Sequence, residues 1–382
     1  MDLFSKKNGS FFDSKPGLYV HIPFCRKKCP YCSFYSVADP SLIPKWKTSL
    51  KKEMDFYRRS DILYDSLYLG GGTPTLLNGR DMEDVMSLVF RNYSFTESPE
   101  ITIEANPDDL NMDMIRNLKS LGFNRISLGV QSFDGDVLSF LKRTHSVRQT
   151  EKNLELLRSY GFKNIGIDLI YGFSELPFYR WKDTLMKSIK FEPEHLSCYQ
   201  LSCEKGTVFG SMKKKEKIKL PDEKQSVYFF MKTSEFLEKN GYIHYEVSNY
   251  AKGAECISWH NEKYWEREPY LGLGPSAHSF DGEKRWWNVS SLKKYCQSLD
   301  DGALPIDGFE YISKEQEELE VIALGIRTKK GFKIEDIDEE RLSSEAISYL
   351  QSLGFLTVTS NKVIPTTRGF LIADHIPLII YV

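Results

Sequence analysis

The run His21-Ile22-Pro23-Phe24-Cys25-Arg26-Lys27-Lys28-Cys29-Pro30-Tyr31-Cys32 sets three thiols on a C-x3-C-x2-C spacing. A fourth thiolate would complete a tetrahedral zinc site or an ordinary iron-sulfur cluster. Three leave one iron of a 4Fe-4S cluster without a protein ligand, and an open iron can bind and polarise a small molecule. Pro23 and Pro30 keep the segment out of regular structure, which predicts an exposed loop. Cys198, Cys203, Cys256 and Cys296 are scattered and read as buried or incidental thiols, since free cysteine packs as a small hydrophobe. An odd total of seven with three clustered is a poor disulfide framework and fits a reduced, cytoplasmic compartment.

Other residues with chemical potential follow short apolar runs. Gly70-Gly71-Gly72-Thr73-Pro74 removes every side chain from one such end, so backbone groups could meet a charged ligand closely, although a tight turn alone also calls for glycine. Glu104, Gln131, Arg143 and Asp168 form a donor and acceptor set for a nucleoside and a carboxylate; each taken singly reads more often as a structural ion pair or cap, and their recurrence at successive strand ends shifts that balance.

The elements that must position these residues alternate short apolar runs with longer amphipathic ones from residue 17 to about 200, the pattern of repeated βα units and a parallel sheet. Strands are predicted at Leu18 to Ile22, Ser66 to Leu69, Ile101 to Glu104, Arg125 to Val130, Asn164 to Leu169 and His195 to Tyr199. Roughly six units make an incomplete (β/α)6 TIM-like barrel, with chemistry at the carboxyl ends of its strands. The chain divides by pattern into a core at 1–215, an aromatic extension at 216–305 and a small winged-helix-like unit at 306–382. The lysine-rich Met212-Lys213-Lys214-Lys215-Glu216-Lys217 reads as a solvated linker before a helix from about Asp222 to Asn240. A net charge of -2 gives no global field toward nucleic acid, and no run approaches the roughly 20 apolar residues of a membrane helix.

Taken together, the cysteine motif with Tyr31 inside it and the Gly70-Gly71-Gly72-Thr73-Pro74 run resemble the radical S-adenosylmethionine (SAM) superfamily. Leu18 to Cys25, Ile103-Glu104-Ala105-Asn106-Pro107, Gly129-Val130-Gln131-Ser132-Phe133 and Ile167 to Gly172 narrow the resemblance to its coproporphyrinogen-oxidase-like branch. It implies that Cys25, Cys29 and Cys32 bind a 4Fe-4S cluster whose remaining iron is chelated by SAM, which one-electron reduction cleaves to methionine and a 5'-deoxyadenosyl radical. It further implies Tyr31 beside the adenine and Gly71, Gly72 and Thr73 at the methionine portion. Glu104, Gln131, Arg143 and Asp168 would hold the rest, with Tyr19 lining the site.

Oxygen-independent coproporphyrinogen III oxidases carry a further cysteine two residues past the third, where this chain has Phe34. The HemW heme chaperones are a better match, their H-N-x-x-Y-W marker standing here as His260-Asn261-Glu262-Lys263-Tyr264-Trp265. That resemblance implies a heme held by His260 with Tyr264 and Trp265. His278, in Gly272-Leu273-Gly274-Pro275-Ser276-Ala277-His278, is the second-choice ligand. The partners implied are heme, a heme-accepting protein such as a respiratory-chain enzyme, and an electron donor such as flavodoxin or ferredoxin. A homodimer and peripheral membrane association through the acceptor stand as further options.

Overall fold

The computed structural model describes residues 15–173 and 176–382. In chain order the elements are β1 (Gly17–Ile22), α1 (Ile43–Tyr57), β2 (Leu63–Gly71), α2 (Gly79–Asn92), β3 (Ser94–Ala105), α3 (Met112–Ser120), β4 (Arg125–Gln131), α4 (Gly135–Phe140), α5 (Val147–Ser159), β5 (Ile165–Tyr171), α6 (Phe178–Lys190) and β6 (His195–Gln200). Then follow α7 (Val208–Lys214), α8 (Glu223–Lys239), β7 (Ile243–His244), β8 (Asn249–Ala251), α9 (Trp259–Trp265), β9 (Tyr270–Leu273), β10 (His278–Phe280), β11 (Lys284–Asn288), α10 (Leu292–Asp300) and β12 (Ile306–Tyr311). The chain ends with α11 (Lys314–Gly325), β13 (Phe332–Lys333), α12 (Ser344–Ser352), β14 (Leu356–Val358), β15 (Lys362–Pro365), α13 (Thr367–Phe370) and α14 (Ile376–Ile380).

By contacts the chain forms two compact units, each drawn from discontinuous segments. One gathers the chain up to Asp168, Ser202–Ile218 and Glu268–Tyr311; the other gathers Leu169–Leu201, Lys219–Arg267 and Ile312–Val382. This is a different partition from the three consecutive segments read from the sequence.

In the first unit β1, β2, β3 and β4 pair in parallel and in chain order, with Leu18 opposite Leu67 and Ile103 opposite Ile126. Leu18, Val20 and Ile22, Leu67 and Leu69, Ile101 and Ile103, and Ile126, Leu128 and Val130 recur at every second position, so they line one face of these strands and are buried, while Tyr19, His21, Tyr68, Glu104 and Ser127 lie on the opposite face. Side-chain caps start the intervening helices: Asn78 accepts from Asp81 N, Asn111 from Met114 N, Asp134 from Val137 N and Ser146 from Gln149 N. The other side of β1 is occupied by β9 in parallel, followed by antiparallel β10, β11 and β12. The aromatic segment was not resolved into strands at the sequence level; it extends the sheet. The described strands form no closed barrel, as an incomplete one requires.

A fully buried carboxylate secures that extension. Glu53 of α1 accepts from Gly274 N at 2.7 Å, Asn288 Nδ2 at 2.5 Å and Tyr295 Oη at 2.6 Å, so one side chain joins α1 to the end of β9, to β11 and to α10. Burial pushes its carboxyl up to about 7 against the pull of these three donors.

In the second unit β6, β8 and β7 pair antiparallel, and α6 meets α8 through a hydrogen bond of 2.7 Å from Trp181 Nε1 to Thr233 Oγ1. α8 opens on a capping box between Asp222 and Gln225, close to the predicted start. The predicted terminal strand pair is present as β14 and β15, joined by β13 in a three-stranded antiparallel sheet whose core holds Ile322, Phe332, Val363, Ile376 and Ile380. The lysine-rich linker is a correction: its lysines are exposed, but Met212, Lys213 and Lys214 are the last turn of α7, which Thr207 caps.

Candidate functional site

The cysteine loop leaves the end of β1 and is pinched at its base. Val37 N donates to Pro23 O at 2.7 Å and Cys25 N donates to Val37 O at 3.0 Å. Phe24, fully buried, packs edge-on against Trp46. The loop is therefore anchored at its root and open beyond it, with the three free thiols half-buried and Arg26, Lys27 and Lys28 exposed between them.

The ends of β2, β3 and β4 reach this loop through a closed run of side chains. Thr73 Oγ1 donates to Cys25 Sγ at 3.5 Å, Asn106 Nδ2 donates to Thr73 Oγ1 at 3.0 Å, and Arg143 donates to Asn106 Oδ1. The same guanidinium donates to Cys29 Sγ at 3.3 Å and to Gly129 O at 3.1 Å. Its Nε is buried with no hydrogen-bond partner among the described residues. Asn106 was absent from the candidates drawn from the sequence, although it stands in the Glu104-Ala105-Asn106-Pro107 strand end that signalled the site.

Glycine at positions 71 and 72 is required by the chain itself. Gly71 has φ +107°, and a Cβ there would stand 2.5 Å from the His21 ring; at Gly72 it would stand 2.6 Å from Phe24 O. The run thus lets β2 close onto the cysteine loop, with Gly72 N donating to Ile22 O at 2.9 Å and Thr73 N to Phe24 O at 2.7 Å. His21 is held between Tyr19 Oη at 3.1 Å and Tyr35 O at 2.9 Å, and burial pushes its imidazole down to about 4, so it is neutral.

The acceptors gather on neighbouring strands. Glu104 accepts from Tyr68 Oη at 2.9 Å and from Gly71 N at 3.1 Å. Burial of its carboxyl end, aided by Asp168, pushes it up to about 7 against those two bonds. Asp168 accepts from Ser127 Oγ at 2.9 Å. Gln131 closes β4 with a left-handed φ of +65°, which lays its amide over Gly129, where a Cβ would stand 2.9 Å from its Nε2. Tyr31 lies against Phe209 with ring centroids 6.2 Å apart, and burial keeps its phenol protonated. Tyr19 is half-buried near Tyr68.

These residues suit the groups read from the sequence. Cys25 receives a hydrogen bond from Thr73, just past the end of β2, and Cys29 receives one from Arg143, in the loop after α4. Among the described residues no three His, Cys, Asp or Glu converge as ligands of a single metal ion. A cubane cluster makes no such demand, since it takes one thiolate per iron. The unspent Arg143 Nε and the Glu104, Gln131 and Asp168 acceptors offer complementary positions to a ligand with a carboxylate and hydroxyls.

The heme candidates lie apart in the contact grouping: His260, Tyr264 and Trp265 belong to the second unit and His278 to the first. His260 is buried on α9 with its Nε2 2.9 Å from Tyr264 Oη, and burial pushes it down to about 3. Trp265 is half-buried. His278 is exposed at the start of β10 and stacks on Trp287 with centroids 5.9 Å apart. Phe34 is exposed, at 67%.

Residues 19–185 match the family model described as the Radical SAM superfamily. The chain is 32% identical over 369 residues to the heme chaperone HemW of Lactococcus lactis, covering 94% of this chain and 95% of that one. With HemW of Escherichia coli it is 35% identical over 270 residues, 68% of this chain and 69% of the relative. Among solved structures it resembles coproporphyrinogen III oxidase (HemN) from Escherichia coli, described as a radical SAM enzyme, with a TM-score of 0.82 at 24% identity over 97% of this chain and 91% of that chain. That likeness bears on the fold alone.

Proposed function

The chain belongs to the radical SAM superfamily, in the branch it shares with the HemW relatives, and from that premise we propose that it is a heme chaperone: it binds one heme and transfers it to an acceptor hemoprotein, while carrying a 4Fe-4S cluster and SAM. The observation that carries this reading is similarity to a named heme chaperone running nearly end to end. Phe34, where the oxidases place a further cysteine, points the same way.

Cys25, Cys29 and Cys32 hold the cluster in this reading, and the cluster supplies one-electron chemistry toward bound SAM. Thr73 and Arg143 orient two of the thiolates. Arg143 Nε is left to pair the ligand carboxylate, Glu104 and Asp168 to accept from its hydroxyls, and Gln131 to cover it from the end of β4. Tyr31 and Tyr19 wall the site. For heme, accessibility reverses the order read from the sequence. The exposed His278 on Trp287 can meet a flat macrocycle as it stands, whereas His260 must first part from Tyr264.

Heme titration of the anaerobically reconstituted protein, followed by transfer to apo-hemoproteins, tests the proposal. One heme per chain, weakened in His278→Ala more than in His260→Ala, is the expected result. The rival reading, oxidative decarboxylation of coproporphyrinogen III, rests on the shared fold. Protoporphyrinogen formed with SAM and a reductant would establish it in place of the chaperone.

A further inference from the structure

Arg143, Thr144 and His145 follow one another in the loop after α4, and each reaches the strand ends around the cysteine loop. Arg143 donates to Cys29, Asn106 and Gly129 O, and Thr144 Oγ1 donates to Asp108, just past β3. His145 is buried with its Nε2 3.0 Å from Val130 O, the carbonyl next to the one that receives Arg143. A carbonyl only accepts, so Nε2 carries the proton and the imidazole donates. Burial, aided by the Arg143 charge, pushes the ring down to about 4, so a neutral imidazole stands near the guanidinium without repelling it. Nδ1 is left as a buried acceptor with no hydrogen-bond partner among the described residues, 4.0 Å from Asp108 Oδ1. An apolar side chain would avoid that unmet lone pair, so what the imidazole contributes is its one bond to β4.

Resting on the SAM reading above, we propose that His145 is a positioning residue for Arg143: its bond to Val130 O fixes the loop that aims Arg143 Nε at the ligand carboxylate. A planar guanidinium pairs a carboxylate well only when it is held to within about 0.5 Å of the right place. On the N-terminal side of Arg143 the backbone turns at once, with Lys142 at a left-handed φ of +57° and Arg143 N donating to Leu138 O at 2.9 Å, which ties the residue to α4. On the C-terminal side His145 ties the same loop to β4, the strand whose Gly129 O receives the guanidinium at 3.1 Å. Loop and side chain are thereby referred to one strand end. His145 acts through Arg143, and no proton moves.

The test compares the reconstituted protein with His145→Leu and with His145→Gln, which keeps an N–H donor near the place of Nε2. Circular dichroism and iron and sulfide content establish that each is folded and loaded; should His145→Leu not fold, His145→Asn, too short to reach Val130 O, takes its place. Affinities are measured anaerobically by calorimetry for SAM and for decarboxylated SAM, which keeps the amine, sulfonium and nucleoside but lacks the carboxylate. SAM affinity is expected to fall on the order of 10-fold in His145→Leu and to recover in His145→Gln, with affinity for decarboxylated SAM level across all three proteins. A merely structural role would not move one ligand without the other. In an Arg143→Met background His145→Leu is expected to weaken SAM no further. Unchanged SAM affinity in His145→Leu, or an equal loss for both ligands, overturns the positioning role and leaves the site reading standing. Wild-type protein that binds the two ligands equally overturns the assignment of Arg143 to the carboxylate, and a preparation without iron and sulfide overturns the cluster; either takes the proposal with it.

Discussion

At the scale of single residues the cysteines carry the clearest expectation. Cys25→Ala removes one of three thiolates from a loop outside the buried core, so the purified protein should be soluble and folded yet depleted of iron and sulfide; full cluster content in the variant would contradict the assignment. Glu104 gives a pH-dependent prediction. Its folded carboxyl keeps a proton up to about 7, above the ordinary 4.5, so between those values the folded chain binds more protons than the unfolded one. Its contribution to stability is therefore present at the acidic end and lost as pH rises through about 7. Glu104→Gln should flatten that fall, as read by urea unfolding of the cluster-free protein from about pH 5 to about pH 8. The cysteines, glycines and acidic residues were legible because their types and order are unusual. Asn106 was not, because an asparagine before a proline usually marks a turn, and only the approach of Thr73 and Arg143 gives it two partners.

At the scale of elements the decisive feature is the join between α1 and the strands that flank β1 on its far side. Glu53 is fully buried and satisfies three donors from residues more than 200 positions away along the chain. Glu53→Ala should cost on the order of 3 kcal/mol or more, because the donors lose their acceptor and cannot reach water, whereas Glu53→Gln, which keeps one oxygen, should cost less. Chemical denaturation of both variants measures the difference, and an unaltered midpoint in Glu53→Ala would show that the contact holds nothing. The core strands and most helices were readable because buried apolar residues recur at every second position along the strands, between capped amphipathic helices. The strands β7 to β12 were not, because they are short, aromatic and irregular, and they become strands by adding to an edge the earlier strands have already built. The helix α7 was missed for a related reason: its last turn is a lysine run, and docking of Phe209 against the cysteine loop holds the segment in place.

At the scale of the whole molecule the fold is shared with a coproporphyrinogen oxidase while the sequence runs with heme chaperones, and fold does not decide chemistry. Incubated anaerobically with coproporphyrinogen III, SAM and reductant, the reconstituted protein should yield no protoporphyrinogen by chromatography, yet should bind heme one to one in the same buffer. Product formation would reverse that reading. None of the described helices is long and apolar enough to cross a membrane. What the sequence by itself determined is the inventory of chemistry, three thiols on a tight spacing and polar residues at successive strand ends, because these depend on residue type and short-range order. Tertiary structure alone decided which of those groups meet. Arg143 reaches Cys29, Glu104 reaches Gly71 and His260 turns to Tyr264, because hydrogen bonds and burial are settled by which strand ends and helices pack together.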